Sequence, residues 1–195
     1  MSTMKEIYEK VIKHERYLKN IKYGEPRRGH AEGSVENHIK ELEENLEKLR
    51  EDDPFVEQFY WKLKVLIHVH DSFKAESARN ATILDPNSHA SLARAFLAQY
   101  TEDTDMLNIV QYHDIGYAVF RNFKDKGHFN YKRLDAALES IHNHNLFLLF
   151  CIIDSCTVSK GREMITWLVK YVAHNYPYVL VDESYILEGG SAAAF

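Results

Sequence analysis

The 195-residue chain has few cysteines and no excess of positive charge, and each shortage excludes some classes of protein. Its two cysteines, Cys151 and Cys156, lie in one apolar segment, where a helix would place them on different faces. A disulfide framework is therefore not expected, and a reducing cytoplasm is the simplest compartment. The net charge of −5 argues against a nucleic-acid duplex or an anionic membrane as the main partner.

The chain also lacks an apolar run long enough to cross a bilayer. The longest run, Asn145–Asp154, is shorter than the roughly 20 residues that a transmembrane helix needs. We interpret it instead as a central buried helix. The first ten residues, MSTMKEIYEK, contain no apolar stretch of the kind found in a signal peptide. No internal repeat and no low-complexity segment is found.

Helical periodicity is present in nearly every segment, and no stretch alternates as a strand would. Apolar residues recur at steps of three and four from Val35 to Leu49, after the capping residue Ser34, which predicts an amphipathic helix. Asp53-Pro54 predicts the start of another helix, over residues 55–70. Lys5–Ile21 has helical period as well.

These patterns predict an all-α fold, a single-domain helical bundle that spans residues 1–180. A chain of this length fits one domain and can bury a substantial core. Residues 181–195 are expected to form a C-terminal tail. Its end, Gly189–Ala194, is rich in glycine and alanine, which is typical of a flexible or artificially appended segment.

Six side chains of metal-ligand type fall on the apolar faces of the predicted helices. His38, for example, lies three positions after Val35 and four before Leu42, so it continues their stripe. A single histidine in such a place is more often a core residue with satisfied hydrogen bonds. A buried carboxylate, however, needs a cation or several donors, because its desolvation is costly. Since five helices aim this chemistry inward, we predict one buried metal centre, formed by His38, His70, Asp71, His89, His113 and Asp154.

The donor set of this centre contains nitrogen and oxygen but no cysteine sulfur. That composition argues against a closed structural zinc site. It suits divalent iron, manganese, cobalt or nickel, and also zinc or magnesium. The residues alone leave open whether one ion or two are bound.

The order of these residues resembles that of the HD-domain family of metal-dependent phosphohydrolases. The family pattern is an early histidine, a His-Asp doublet and a late aspartate on a long apolar helix. His38, His70-Asp71 and Asp154 match this pattern in order and context. His89 and His113 are similar to the two histidines that the bimetallic branch adds between the doublet and the late aspartate.

The resemblance extends over residues 34–155, most of the predicted domain. The preceding segment, Arg28–His38, is similar to the loop before the first ligand in some members. Several members have Gly-Lys where this chain has Phe73-Lys74, so the lysine is retained and the glycine is not.

The resemblance implies an arrangement of ligands. In a bimetallic member, Asp71 bridges two ions, His38, His70 and Asp154 hold one of them, and His89 and His113 hold the other. A single ion is the alternative, held by His38, His70, Asp71 and Asp154.

The resemblance also implies a hydrolase that cleaves a phosphomonoester or phosphodiester of a small substrate, with nucleotides among the candidates. Metal-bound hydroxide would be the nucleophile. Asp71 and Lys74 would be the catalytic residues, with Lys74 one helical turn beyond His70 and directed at the phosphate; a surface lysine is the alternative. The glycine-rich loop before the first ligand contains three candidate substrate contacts, Arg27, Arg28 and His30. The alternative is that these side chains are simply exposed on the loop surface.

Two further residues and two further functions stay open. Asp114 is a candidate to orient its neighbour His113 from outside the ligand shell, or to cap a helix. Lys160 is a weaker candidate for a phosphate contact. The other functions are a di-iron oxygenase on an HD-like scaffold and a non-catalytic domain that senses a nucleotide through a metal pocket. The remaining histidines are interpreted as structural or exposed: His14, His68, His128, His142, His144 and His174.

Overall fold

The computed structural model describes residues 2–26 and 31–188, and within them every regular element is helical. The α-helices in chain order are α1 (Met4–Val11), α2 (Glu15–Asn20), α3 (Val35–Asp52), α4 (Pro54–Glu57), α5 (Tyr60–Val69), α6 (His89–Leu97), α7 (Thr104–Tyr112), α8 (Ile115–Lys126), α9 (Tyr131–Glu139), α10 (His144–Ser155) and α11 (Glu163–Asn175). Two 3-10 turns span Lys74–Glu76 and Glu183–Tyr185. The all-α prediction is confirmed for these residues.

Two apolar helices, α5 and α10, form the centre of the core. Every residue of α10 except Asn145 and Asp154 is buried, which confirms the interpretation of this run as a central helix. Helix α5 packs against α1, α3, α7 and α10, and α10 also contacts α3 and α11. The His-Asp doublet at the end of α5 and Asp154 in the last turn of α10 therefore lie where these helices meet α3.

Side-chain caps fix where α3 and α4 begin. The Ser34 hydroxyl accepts a hydrogen bond from the Asn37 N–H at the start of α3, as the sequence predicts. Asp53 Oδ1 accepts from the Phe55 N–H at the start of α4, where Pro54 is the first helical residue. Such a cap stabilises a helix by about 1 kcal/mol. It also sets the residue at which α3 starts, and so the face on which His38 lies.

Two helices are interrupted where the periodicity predicts continuity. The helix expected over Lys5–Ile21 is the pair α1 and α2. His14 adopts an extended conformation between them, and its Nδ1 accepts a hydrogen bond from the Arg16 N–H to cap α2. The helix expected over residues 55–70 begins as the single turn of α4 and restarts at Tyr60. Periodicity detected the buried faces but not these breaks.

Helix α8 has no counterpart in the sequence prediction. Its buried residues, Ile115, Gly116 and Val119, lie at its N-terminal end. Gly116 lets α8 approach α11 closely, since a Cβ at this position would lie 2.8 Å from Leu168 Cδ2. The helix ends at Gly127, whose φ of 75° is the left-handed conformation that glycine adopts readily.

The chain returns to the core after α11. Asn145 Oδ1 accepts hydrogen bonds from the backbone N–H groups of Leu180 and Val181, and the Arg162 guanidinium donates to the Leu187 carbonyl. Val181 is fully buried. The first part of the expected tail is thus packed on the helices, and residues 189–195 lie outside the described residues.

The apolar interior contains both cysteines. Cys151 and Cys156 are free thiols, and burial raises the pKa of each. They are therefore protonated near neutral pH. None of the helices in the described ranges combines the length and the apolarity that a membrane span requires.

Candidate metal centre

Two groups of ligand-type side chains face each other across Asp71. In the first group, His38 Nε2 lies 2.9 Å from Asp154 Oδ1, and His70 Nε2 lies 3.8 Å from the same oxygen. The three side chains come from α3, α10 and the C-terminal end of α5, and their ligand atoms all lie within 4.8 Å of one another. Donors bound about 2.1 Å from one ion lie roughly 3.0–4.2 Å apart, so this group can hold a metal ion.

The second group is formed by His89, at the start of α6, and His113, at the end of α7. Their Nε2 atoms lie 3.1 Å apart. Asp71 Oδ1 lies 3.5 Å from His89 Nε2 and 3.6 Å from His113 Nε2. This group can also hold a metal ion, because its three ligand atoms lie within 4.8 Å of one another.

The Asp71 carboxylate presents a different oxygen to each group. Oδ2 lies 3.4 Å from His70 Nε2 and 3.9 Å from His38 Nε2, whereas Oδ1 faces the histidines of the second group. Two ions bound in these groups would share this carboxylate. The structure therefore brings together all six residues that the sequence nominated as metal ligands, and their distances are compatible with one or two ions.

The hydrogen bonds of His70 and His113 fit a ligand role. His70 Nδ1 lies 3.0 Å from the Ile67 carbonyl, and His113 Nδ1 lies 2.8 Å from the Val110 carbonyl. Because a carbonyl oxygen only accepts, each Nδ1 carries the proton, and the lone pair of a neutral ring is on Nε2. In the described part of the chain, His70 Nε2 is buried and finds no hydrogen-bond partner. A buried lone pair in this position is what a metal ligand requires.

A carboxylate that the sequence analysis did not single out lies behind His38. Glu32 Oε1 is 3.8 Å from His38 Nδ1, the ring nitrogen that faces away from Asp154, and the Glu32 side chain is buried. This separation is that of an ion-pair contact and is too long for a hydrogen bond between the two side chains. The only signal for Glu32 in the sequence was its place in the loop before Ser34, which gives no direction for the side chain.

Two lysines offset the negative charges of Asp71 and Asp154. Lys74 Nζ contacts Asp71 Oδ2, and Lys160 Nζ lies 3.0 Å from Asp154 Oδ1. Burial alone would raise the pKa of each carboxyl. Lys74 and His70 outweigh it for Asp71, and Lys160 and His38 outweigh it for Asp154, so both pKa values fall well below the usual range. Both carboxylates are thus ionised, as metal binding demands.

Lys160, which the sequence offered only as a weaker candidate for a phosphate contact, lies directly at the centre. Its ammonium group also donates to the Asp154 carbonyl, which fixes it at the end of α10. The side chains of Lys74 and Lys160 remain 25% and 27% exposed. Two partly exposed cations therefore border the carboxylates.

Asp114 occupies the N-cap position of α8, one of the two positions that the sequence suggested, but its side chain makes no capping hydrogen bond within the described residues. It does not orient His113 through the outer nitrogen, which is bound to the Val110 carbonyl. Instead, Asp114 Oδ2 lies 3.3 Å from His89 Nε2 and 3.6 Å from His113 Nε2. It faces the inner nitrogens of the second group.

A cleft of about 580 Å³ reaches His38, Asp71 and Lys74 from the surface. Tyr23 and Ser34 are among its other lining residues. The volume is within the usual range for small-molecule sites. The remaining substrate contacts nominated from the sequence, Arg27, Arg28 and His30, lie outside the described residues.

The other histidines in the described ranges belong to neither group. His68 and His144 are buried and hydrogen-bonded within the protein, and His14 caps α2.

Comparisons of the chain with protein-family models, with curated proteins and with solved structures give no match. Fold and site together define an all-helical protein with buried His and Asp groups that can hold metal ions. The HD-domain resemblance is a hypothesis about its family.

Proposed function

We propose that this chain is a metal-dependent phosphohydrolase of the HD-domain type, cleaving a phosphomonoester or phosphodiester, with nucleotides among the candidate substrates. One observation carries the proposal. A single carboxylate, that of Asp71, presents one oxygen to each of two histidine-containing groups, and a lysine ammonium lies beside it. Shared carboxylates of this kind are suited to paired divalent ions.

The six predicted ligands would hold the ions. The first group offers His38, His70 and Asp154, the second offers His89 and His113, and Asp71 serves both. Nitrogen and oxygen donors suit iron, manganese, cobalt, nickel, zinc or magnesium. When bound, such ions supply an activated water and offset the negative charge of the phosphoryl oxygens.

The chain's own cations complete the binding of an anionic substrate. Lys74 and Lys160 place two ammonium groups beside the acidic residues, and each retains an exposed portion. Charge-assisted hydrogen bonds from these groups to phosphoryl oxygens would orient the ester at the centre. The cleft beside Lys74 and Asp71 leaves room for the remainder of a small substrate.

A metal-dependence screen tests the proposal. The purified chain is stripped with a chelator, reloaded with manganese, iron, cobalt, nickel, zinc or magnesium, and assayed on a panel of phosphomonoesters and phosphodiesters. We expect release of phosphate or of a phosphomonoester only in reloaded samples. Asp71→Ala is the matched control and should be inactive with every metal. Absence of metal-dependent turnover on the whole panel would count against the hydrolase.

The same donor set supports a second candidate, a di-iron oxygenase. Histidine and carboxylate ligands with a shared aspartate suit iron as well as redox-inert ions. Oxygen consumption by the iron-loaded chain would favour this function. Turnover with magnesium or zinc would exclude it, because neither ion changes its oxidation state. Tight nucleotide binding without any turnover would instead favour a sensing domain.

A further inference from the structure

Among the described residues, Asp114 is an acidic side chain that lies at the inner nitrogens of the second group but is outside the six predicted ligands. We propose that Asp114 is a direct metal ligand and completes this group. Each ion would then have two histidines, one aspartate of its own and a share of Asp71. The inference rests on the metal centre of the proposed function and extends it by one ligand.

The distances carry the first part of the argument. Asp114 Oδ2 lies 3.3 Å from His89 Nε2 and 3.6 Å from His113 Nε2, and these two nitrogens are 3.1 Å apart. Asp71 Oδ1 lies 3.5 Å and 3.6 Å from the same nitrogens. The two carboxylates thus approach the histidine pair equally closely. The spacings among Asp114 Oδ2 and the two histidine nitrogens match those of three donors around a single divalent ion with bonds of about 2.1 Å.

A repeated local arrangement carries the second part. His70-Asp71 follows the last residue of α5, and His113-Asp114 follows the last residue of α7. In both doublets, the histidine Nδ1 bonds to the carbonyl three residues earlier, which turns Nε2 towards the centre. In both, the next residue is an aspartate whose carboxylate faces histidine Nε2 atoms. The second doublet therefore repeats the geometry of the first.

The break between α7 and α8 makes this placement possible. Asp114 has φ of −84° and ψ of 2°, so the chain leaves α7 after His113 and starts α8 at Ile115. In an uninterrupted helix, adjacent side chains point about 100° apart and do not share a site. The break brings the side chains of His113 and Asp114 to the same centre.

A full set of donors has a consequence for ion binding. Without Asp114, the second group offers two neutral nitrogens and half of a shared carboxylate. With Asp114, it has the same composition as the first group, which contains Asp154. We therefore expect both ions to bind under the same conditions, and removal of Asp114 to affect the second ion selectively.

The test compares Asp114→Asn and Asp114→Ala with the unaltered chain, each stripped and titrated with Mn²⁺. Calorimetry and elemental analysis count the ions, and electron paramagnetic resonance separates a coupled pair of Mn²⁺ ions from isolated ones. We expect two ions in the unaltered chain. In the variants, the second ion should be absent or bind more weakly by more than the roughly 10–100-fold that loss of an outer-shell partner causes, and the coupled signal should disappear. Asparagine can still offer an oxygen, so the alanine variant should show the larger loss.

Asp125→Asn is the matched control. Asp125 is on the same helix, 64% exposed, and pairs only at 3.8 Å with Arg121. This variant should bind two ions. Thermal unfolding in a chelator, with no metal in any sample, checks that the Asp114 variants fold.

The outcomes separate the two claims. If the unaltered chain binds no metal, the proposed function fails. If it binds only one ion, or if both Asp114 variants bind two ions with unchanged affinity, this inference is overturned while the metal-dependent function stands. Should one Asp114 variant fail to fold in the chelator, the other decides.

Discussion

Two histidines at the end of α5 are two positions apart, and both are buried, but their surroundings differ. His68 is 7% exposed and His70 is 1% exposed. His68 Nδ1 lies 2.5 Å from the Tyr17 hydroxyl, and its Nε2 lies 2.9 Å from Glu43 Oε1. His70 bonds to a carbonyl through Nδ1, while its Nε2 has no hydrogen-bond partner among the described residues.

The difference shows what a buried histidine needs before it can be assigned a role. Around His68, protein groups satisfy both ring nitrogens: the Tyr17 hydroxyl donates to Nδ1, and Nε2 donates to Glu43. Around His70, the protein satisfies one nitrogen and surrounds the other with Asp71 and Asp154. Burial is common to both sites. The partner of the second nitrogen separates a structural network from a candidate ligand.

Removal of Asp71 should have the largest effect on metal content and stability, because the first and second ligand groups share its carboxylate. We expect Asp71→Ala to purify without stoichiometric metal, as measured by elemental analysis. Its free energy of unfolding in metal-containing buffer should fall by about 4 kcal/mol where the metal is a thousandfold above its Kd. In chelator, the difference should be much smaller. Unchanged metal content in this variant would refute the metal centre.

The same substitution at each of the two histidines should have different effects on metal binding. His70→Asn should lose metal, whereas His68→Asn should keep it. In chelator, His68→Asn should lower the free energy of unfolding by about 1–3 kcal/mol, because Tyr17 and Glu43 lose a buried partner. Urea unfolding and elemental analysis measure the two effects. If both variants lost metal equally, the assignment of His68 to a structural network and of His70 to the metal centre would be wrong.

Lowering the pH should weaken the hydrogen-bond network of His68 and Glu43, with a smaller effect on stability than the substitutions above. The hydrogen bond from His68, with help from Lys64, overcomes burial and lowers the pKa of Glu43 from 4.5 to about 2. A carboxyl with a depressed pKa in the folded state stabilises the fold above its unfolded pKa, and this contribution disappears as the pH falls. The loss should therefore occur between pH 4.5 and about 2.

The substitution Glu43→Gln should flatten this acid-dependent loss. Allowing for solvent screening of a partly exposed group, we expect a difference of about 1–2 kcal/mol between pH 5 and pH 2. Urea unfolding at several pH values in chelator measures it. Glu44→Gln, at the exposed neighbouring position, is the control. A Glu43 variant with the same pH dependence as the unaltered chain would contradict the assigned pKa.

The sequence predicts those parts of this picture that depend on local pattern. The Ser34 cap and the spacing of three and four residues predict α3, and the apolar run predicts α10. The six candidate ligands could be nominated because each shares an apolar helix face, and helix packing then brings those faces together. The HD-domain resemblance added an arrangement of these ligands around the ions. The distances in the structure are compatible with that arrangement.

The parts that could not be predicted depend on contacts between distant elements. Periodicity placed His68 away from His70, but its network needs Tyr17 from α2 and Glu43 from α3. The role of Asp114 depends on the break between α7 and α8, which is set by the backbone conformation at Asp114 and not by the spacing of apolar residues. Glu32 reaches His38 from a loop, where spacing gives no information about direction.

The contact between His38 and Asp154 joins residues that are 116 positions apart. An ion held there closes more than half of the chain into one loop, as a reversible cross-link. Because such an ion is released when the chain unfolds, its stabilising effect depends on the metal concentration relative to Kd and not on the length of the loop. Metal supply would then set the stability of the whole fold, since a chain without its ions would lack this link and unfold more readily.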